Sequence, residues 1–117
     1  MEIKLKEKKK IITYEEFVKT DIRVGRIAEV YVYHEERSLQ KFQVKVDFGD
    51  AGMMNGEIEL TDNYNADALE GRLVIAIVNV STSDTDEEAI ILKIASNDGK
   101  DVLIRPDWEV PPGCRVL

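Results

Sequence analysis

The feature that most constrains how this chain folds is the alternation of apolar and polar residues, the pattern of a strand with one buried face. It is clearest in "FQVKVDF", from Phe42 to Phe48, where every second residue is apolar. This period of two predicts a strand whose Val44 and Val46 face the core, as do its apolar ends. The segment from Leu73 to Val80 is apolar almost throughout, which indicates a strand buried on both faces.

Three further segments have the β-branched composition of strands: Ile22 to Val32, the residues around Ile58 and Leu60, and Ala89 to Ala95. Gly25 interrupts the first of them and predicts a bulge where the strand bends. The stretch "GDAGMMNG" at 49–56 is predicted to be a loop, and "NDGK" at 97–100 a hairpin turn.

Two short helices are expected beside the strands. Thr13 and Glu16 have the spacing of a capping box, which predicts a helix near the N-terminus. Asn65 and Gly71 bracket one or two helical turns between the third and fourth strands. Five main strands with these two helices predict an all-β fold, most simply a five-stranded OB-fold barrel. Periodicity alone leaves other small β-barrels open.

Charge is distributed unevenly along the 117 residues, which are enough for a single domain. The net charge is −7, yet residues 1–10 carry five lysines and two glutamates, a local charge of +3. The rest holds 11 basic and 21 acidic residues, a charge of −10. We expect a lysine-rich arm over 1–12 and a folded domain over 13–117. The acidic body argues against a uniformly basic nucleic-acid binder.

Several classes of function find no support in the residues. Cys114 is the only cysteine, which rules out an internal disulfide and favours the cytoplasm. His34 has no partner at catalytic or metal-ligand spacing, and no serine or cysteine has a recognisable base. No apolar run approaches the length that crosses a membrane. We therefore predict a non-catalytic protein without cofactor or metal and without membrane contact.

Four blocks of sequence occur in one order: "DIRVGRI" at 21–27, "VDFG" at 46–49, Tyr64 with "LEGRLVIAIVNV" at 69–80, and "DGKDVLIRPDWEVPPGCRV" at 98–116. Together they resemble the tRNA-binding-domain family. That family includes stand-alone tRNA-binding proteins, the C-terminal appendix of many methionyl-tRNA synthetases, and the CsaA export chaperone. The resemblance covers about residues 13–117. It implies an OB fold and, for stand-alone members, a homodimer that docks through terminal segments outside the barrel.

The resemblance also implies where a ligand binds. His34 to Phe42 matches the loop between strands 1 and 2, one of two loops with which OB folds contact nucleic acid. The candidate binding residues, expected on one face of the barrel, are Arg37, Lys41, Tyr64, Asn79 and Glu88. Two other arginines are expected to be structural. Arg23 is predicted to pair with Asp21 or Asp47, and Arg26 to be an exposed strand residue.

Departures from the family pattern bear on RNA binding. Asp62 and Asn63 stand where relatives usually carry two cations. The loop "VSTSDTD" at 80–86 is acidic where relatives have a longer basic one, and Glu87 replaces a serine. Because each phosphate contact contributes roughly one unit of log–log salt slope, we expect weakened affinity for RNA.

Three functions remain open. The first, favoured by the resemblance, is tRNA binding by a homodimer. "EIKLK" at 2–6 and "PPGCRVL" at 111–117 would lie outside the barrel and cover strand edges. The second is a CsaA-like chaperone for unfolded or precursor polypeptides, with a groove lined by Met53, Met54 and Tyr64. The third is a protein–protein interaction module that has lost RNA binding.

Overall fold

The fold was determined as a computed structural model, which describes residues 5–36, 39–81 and 88–117, and only the backbone of residues 33–36. Its elements follow one another along the chain as α1 (Tyr14–Phe17), β1 (Ile22–Glu36), β2 (Leu39–Asp47), a 3-10 turn (Gly49–Ala51), β3 (Met53–Thr61), α2 (Ala66–Leu69), β4 (Leu73–Ile77), β5 (Glu88–Ile91), β6 (Lys93–Ala95) and β7 (Asp101–Leu103).

Five of the strands close a barrel in the order β1-β2-β3-β5-β4. The long first strand makes this closure possible, because residues 22–26 pair with β4 while residues 26–36 pair with β2. Every neighbouring pair is antiparallel except β3 and β5, which run parallel. The predicted five-stranded barrel with few, short helices is confirmed.

The core follows the alternation read from the sequence. Along β2 and the residue after it, Phe42, Val44, Val46 and Phe48 are no more than 2% exposed. Leu69 of α2 joins them with no exposed surface. It is held there because the side chain of Asn65 accepts a 2.8 Å hydrogen bond from the amide of Ala68, which caps the helix as predicted.

The C-terminal segment forms hydrogen bonds along one edge of the first half of β1. The amide of Val24 donates to the carbonyl of Cys114 at 2.9 Å, and the amide of Gly113 donates back to the carbonyl of Val24 at 2.8 Å. Arg23 and Arg115 form an isolated antiparallel bridge. β4 therefore pairs with one edge of Ile22–Arg26. The chain end lies along the other edge of the first of these residues and covers a strand edge that would otherwise be open.

Two boundaries predicted from the sequence were wrong. Met53 to Gly56 were expected in a loop but belong to β3, where they pair with β2 from Asp47 back to Val44. The chain reverses within the short turn Gly49–Ala51, so the following residues can join the ladder at once. The predicted strand from Ala89 to Ala95 divides instead into β5 and β6. β6 leaves the barrel and forms a two-stranded sheet with β7 across the predicted 97–100 turn.

The bulge predicted at Gly25 was also wrong. This residue pairs in register with Val74 of β4, and the irregularities of β1 fall later, between Ile27 and Glu29 and beyond Val32. The glycine is needed for close packing instead. A Cβ at this position would lie 2.7 Å from the ring of Phe48 and would also collide with Val46. The absence of a side chain therefore lets β1 press onto the core side chains of β2.

Within the part of the chain that the structure describes, no helix has the length and apolar character needed to cross a membrane.

The packing at Gly25 gives a stability prediction. We expect Gly25→Ala to lower the free energy of unfolding by about 1–3 kcal/mol, because the added methyl overfills the core. Val46→Ala is destabilising on its own, since it leaves a cavity. In the double variant the new methyl occupies part of that cavity. The combined loss, measured by urea denaturation, should fall short of the sum of the single losses by about 1 kcal/mol. Additive losses would contradict the account.

Candidate functional site

The outward face of β1, β2 and β3 carries a shallow cleft of about 190 Å³. It is lined by residues of these strands and of the start of β5: Tyr31, Gln43, Val44, Lys45, Asn55, Gly56, Glu57 and Glu88. Strand alternation explains the polar lining on β2, because Gln43 and Lys45 are exposed whereas Val44 between them is buried. The cleft therefore lies on the outer side of the sheet, and the apolar core lies on its inner side.

The cations on this face lie beside carboxylates. Lys41 Nζ is 3.7 Å from Glu57 Oε1, and Lys45 Nζ is 3.7 Å from Glu29 Oε2. Tyr31 donates a 2.9 Å hydrogen bond to the same Glu29, which raises the pKa of the phenol above its usual value. Exposed pairs of this kind contribute less than about 1 kcal/mol, so an incoming phosphate can compete for the lysines. The nearby carboxylates would still weaken its attraction.

Two of the predicted site residues are associated with this cleft. Lys41 contacts Glu57, which lines the cleft together with Glu88. Glu88 begins β5 and pairs with Asn55 of β3. Lys41 was expected in a loop, but it lies within β2, because the pairing of β1 with β2 continues to Glu36 and Leu39. Arg37 lies outside the described residues.

Tyr64 and Asn79 have other contacts. The Tyr64 hydroxyl accepts a 2.9 Å hydrogen bond from the amide of Leu103, and the Arg72 guanidinium lies 5.5 Å from the centre of its ring. Asn79 ties the start of β1 to the end of β4. Its Oδ1 accepts from the amide of Asp21 at 2.7 Å, and its Nδ2 donates to the carbonyl of Lys19 at 2.6 Å. Neither Tyr64 nor Asn79 is among the described residues that line the cleft. The prediction of one shared binding face thus stays a prediction.

Asp62 and Asn63 help to dock the β6–β7 hairpin. Asp62 accepts a 3.2 Å hydrogen bond from Lys100, and the side-chain amide of Asn63 donates to the carbonyl of Asp101 at 3.0 Å. Lys93 completes the docking by donating to the carbonyl of Glu59 at 2.6 Å and to the carboxylate of Asp101 at 3.0 Å. The two departures from the family pattern are therefore engaged in intramolecular contacts.

The predicted role of Arg23 is confirmed, with Asp21 as its partner. Its Nε and a terminal nitrogen donate to the two carboxylate oxygens at 2.8 and 3.0 Å, and these hydrogen bonds lower the pKa of Asp21. Asp47 accepts from the amide of Gly49 instead. Arg26 is only partly exposed, because it donates to the carbonyl of Gly71 at 2.9 Å and to Glu109 at 2.7 Å.

A second cleft, of about 330 Å³, lies between α1 and the chain end. Its apolar lining comes from α1 and the residue after it, from the start of β1 and from the chain end: Tyr14, Phe17, Val18, Ile22, Val116 and Leu117. Tyr14 is 77% exposed and Val18 53%, so much of the apolar side of α1 faces solvent. Asn79 also lines this cleft. The capping box predicted this helix, but not that the barrel leaves its apolar side uncovered.

Among the residues that the structure describes, no group of three or more histidines, cysteines or carboxylates has the arrangement of a metal site.

Known proteins were compared with the chain by sequence and by structure. No protein-family profile matches the sequence. A methionine–tRNA ligase from Archaeoglobus fulgidus is 32% identical over 113 residues, which cover 94% of this chain and 17% of that protein. The chain thus spans about one sixth of the length of that curated relative. The crystal structure of the CsaA chaperone from Picrophilus torridus is 33% identical with a TM-score of 0.72, and the match covers 92% of this chain and 100% of that one.

This chain belongs to the tRNA-binding-domain family. The CsaA chaperone from Bacillus anthracis adds a second structural match, with a TM-score of 0.78 and 26% identity over 92% of this chain and all of that one. The family resemblance drawn from the four sequence blocks is confirmed.

The contacts of Tyr64 predict a structural role that can be measured. We expect Tyr64→Phe to lower the free energy of unfolding by about 1–3 kcal/mol, because the buried amide of Leu103 loses its acceptor. Tyr31→Phe is the matched control, since its hydroxyl bonds at the exposed surface. This control should change stability by less than about 0.5 kcal/mol in the same urea titration. Equal effects of the two variants would show that the Tyr64 hydroxyl does not support the fold.

Proposed function

We propose that this protein is a non-catalytic, cytoplasmic homodimer that binds tRNA with reduced affinity. The observation that carries the proposal is the match to a methionine–tRNA ligase over 94% of the chain. The lone cysteine supports the cytoplasm as its compartment. We call the outward face of β1, β2 and β3 the OB strand face. Lys41 and Glu88 are the proposed binding residues there, and Arg37, Tyr64 and Asn79 remain candidates from the family pattern.

The reduced affinity for tRNA is supported by the charges on and near the OB strand face. Lys41 and Lys45 already lie beside Glu57 and Glu29, so each would contribute less to a phosphate contact than an isolated cation. The sequence places further carboxylates in the loop after β4, at Asp84 and Asp86. RNA would then depend on cations elsewhere, including the lysines of residues 1–10.

The homodimer is supported by the exposed apolar surface of the second cleft. Apolar residues of α1 and of the chain end line this cleft together, and the two residues at 11 and 12, shortly before α1 in the sequence, are also apolar and exposed. Monomeric proteins rarely leave large apolar patches open to water. A second copy of the chain is the proposed occupant, because in a two-fold dimer the same surface supplies both sides of the contact.

Light scattering tests the dimer. We expect the mass of two chains at micromolar concentration, and the mass of one chain for Phe17→Asp, since a carboxylate in the apolar contact would lose its hydration. Ile94→Asp is the control: Ile94 is 51% exposed, compared with 44% for Phe17, and lies on β6 away from the second cleft. This variant should keep the wild-type mass. A wild-type monomer would refute the dimer, and a dimeric Phe17→Asp would refute its location.

A tRNA titration at several salt concentrations tests the binding proposal. We expect weak binding, and deletion of residues 1–10 should lower the log–log salt slope by roughly 0.9 for each phosphate that the arm neutralises. Asp84→Lys with Asp86→Lys should strengthen binding by returning positive charge to the loop after β4. Tight, salt-insensitive binding that survives removal of the arm would contradict the proposed weakness. Absence of binding at low salt would refute the function.

Chaperone activity is the second candidate, favoured by the structural match to two CsaA chaperones over their whole length. Of the residues predicted to line its groove, Met54 and Tyr64 pack against the core, whereas Met53 is 54% exposed. Suppression of client aggregation that is insensitive to the charge changes above, but weakened by Met53→Gln, would favour this function over tRNA binding. The flexible methionine side chain suits a surface that accepts varied partners.

A further inference from the structure

A third cleft, of about 450 Å³, lies at the end of the barrel where α2 leads into β4. The residues after β7 form its other wall. Three arginines from distant parts of the sequence line it: Arg26 of β1, Arg72 just before β4, and Arg105. We call this surface the arginine cleft. Its volume falls within the range of sites that bind small molecules or parts of larger ligands.

Most other cations of the folded domain already have a carboxylate partner. The pairs within 4.0 Å that lie outside the arginine cleft are Arg23 and Arg115 with Asp21, Lys41 with Glu57, Lys45 with Glu29, Lys93 with Asp101, and Lys100 with Asp62. Among the described residues, no carboxylate lies that close to Arg72 or Arg105. The cleft thus holds two guanidinium groups that remain available to an anion, within a chain of net charge −7.

Two of the three arginines, Arg26 and Arg72, are also held in place before any ligand arrives. Arg26 is fixed by its hydrogen bonds to Gly71 and Glu109. Arg72 donates from Nε to the carbonyl of Ala68 at 3.1 Å while its guanidinium lies over the ring of Tyr64. These contacts leave the terminal nitrogens of Arg72 without an acceptor among the described residues. A guanidinium held in this way loses less conformational freedom when it grips a phosphate.

An exposed aromatic residue lies within the segment that lines the cleft. Trp108 lies between Asp107 and Glu109, both of which line the cleft, and it is 79% exposed. Within the single chain, this ring is therefore not packed into the core. Exposed aromatic rings beside a positively charged groove serve as stacking platforms for unpaired bases in proteins that bind single-stranded nucleic acid.

The cleft also contains carboxylates, and these help to define the partner. Glu70, Asp107 and Glu109 line it together with the three arginines, so charge attraction alone is modest. A partner must therefore gain from something besides charge. A nucleotide offers both a phosphate that the guanidinium groups can bind and a base that can stack on Trp108. An acidic peptide offers only the anionic group.

We propose that the arginine cleft and Trp108 form an RNA contact, in which Arg72 and Arg105 hold backbone phosphates and Trp108 stacks on an unpaired base. The inference rests on the proposed tRNA binding and adds a location for it outside the OB strand face. This location also explains how a chain with neutralised cations on that face could retain RNA binding. The sequence did not reveal the cleft, because Arg26 and Arg105 meet only after the barrel has closed.

Two measurements on the full chain separate the location from the function. Fluorescence anisotropy of labelled tRNA reports binding wherever the RNA docks. Trp108 is the only tryptophan, so fluorescence excited at wavelengths that the four tyrosines do not absorb reports the surroundings of Trp108 alone. We expect tRNA to quench this fluorescence with the midpoint seen by anisotropy. A single-stranded RNA oligonucleotide should quench it as well, since it offers unpaired bases.

Variants with matched charge test the arginines. Arg105→Gln should weaken tRNA binding roughly tenfold, as expected for a charge-assisted hydrogen bond, and should lower the salt slope by about 0.7–0.9. Lys100→Gln removes the same charge from the hairpin and should leave the affinity within about twofold and the salt slope unchanged. Trp108→Ala should weaken binding roughly tenfold because the stacking platform is removed. Circular dichroism melting should confirm that each exposed substitution keeps the fold.

The outcomes are distinguishable. If tRNA binds but leaves Trp108 fluorescence unchanged, and Arg105→Gln behaves as Lys100→Gln does, the arginine cleft is refuted while the proposed function stands. If tRNA fails to bind at low salt, both fail. If polyglutamate quenches Trp108 at a concentration equal in charge to the RNA, an acidic polypeptide is the better partner and the RNA contact is refuted.

Discussion

The double pairing of β1 is the constraint on which the rest of the structure depends. One continuous strand of 15 residues hydrogen-bonds to β4 with its first part and to β2 with its second, so the sheet closes on itself. The strand must bend closely over the core to do this, and Gly25 supplies the room beside Val46 and Phe48. Closure also determines the surfaces outside the barrel. It brings the chain end against β1 and leaves α1 with an uncovered apolar side.

Local patterns predicted the parts of this fold that local chemistry controls. The alternation in β2, the N-cap at Asn65 and the turn before β7 each depend on residues close in sequence, and each was found where predicted. The role of Gly25 was predicted wrongly because a bulge and a close approach both favour glycine, and only the distant partner Phe48 distinguishes them. Met53–Gly56 were predicted wrongly because composition typical of a loop was overridden by pairing with β2.

The candidate site was harder to predict because its properties arise between strands. Nothing near Lys41 in the sequence shows that Glu57 will lie beside it, since their proximity follows from the register of β2 and β3. The same holds for Asp62, whose charge looks unfavourable for RNA binding until Lys100 is seen opposite it. Family resemblance could name positions such as Tyr64 and Asn79. It could not show that the Tyr64 hydroxyl already accepts a hydrogen bond from Leu103. Nor could it show that the Asn79 side chain already bonds to the backbone of Lys19 and Asp21.

Charge compensation then links the fold to the proposed function. In an acidic domain most cations lie beside a carboxylate, and each such pair reduces the attraction that the cation offers to a phosphate. Binding therefore depends less on the number of lysines and arginines than on which of them the fold leaves unpaired. The OB strand face has its described lysines paired, whereas the arginine cleft holds Arg72 and Arg105 without such partners among the described residues. In the proposed function, RNA would therefore contact the arginine cleft, where the guanidinium groups stay available, rather than depend on the paired lysines of the OB strand face.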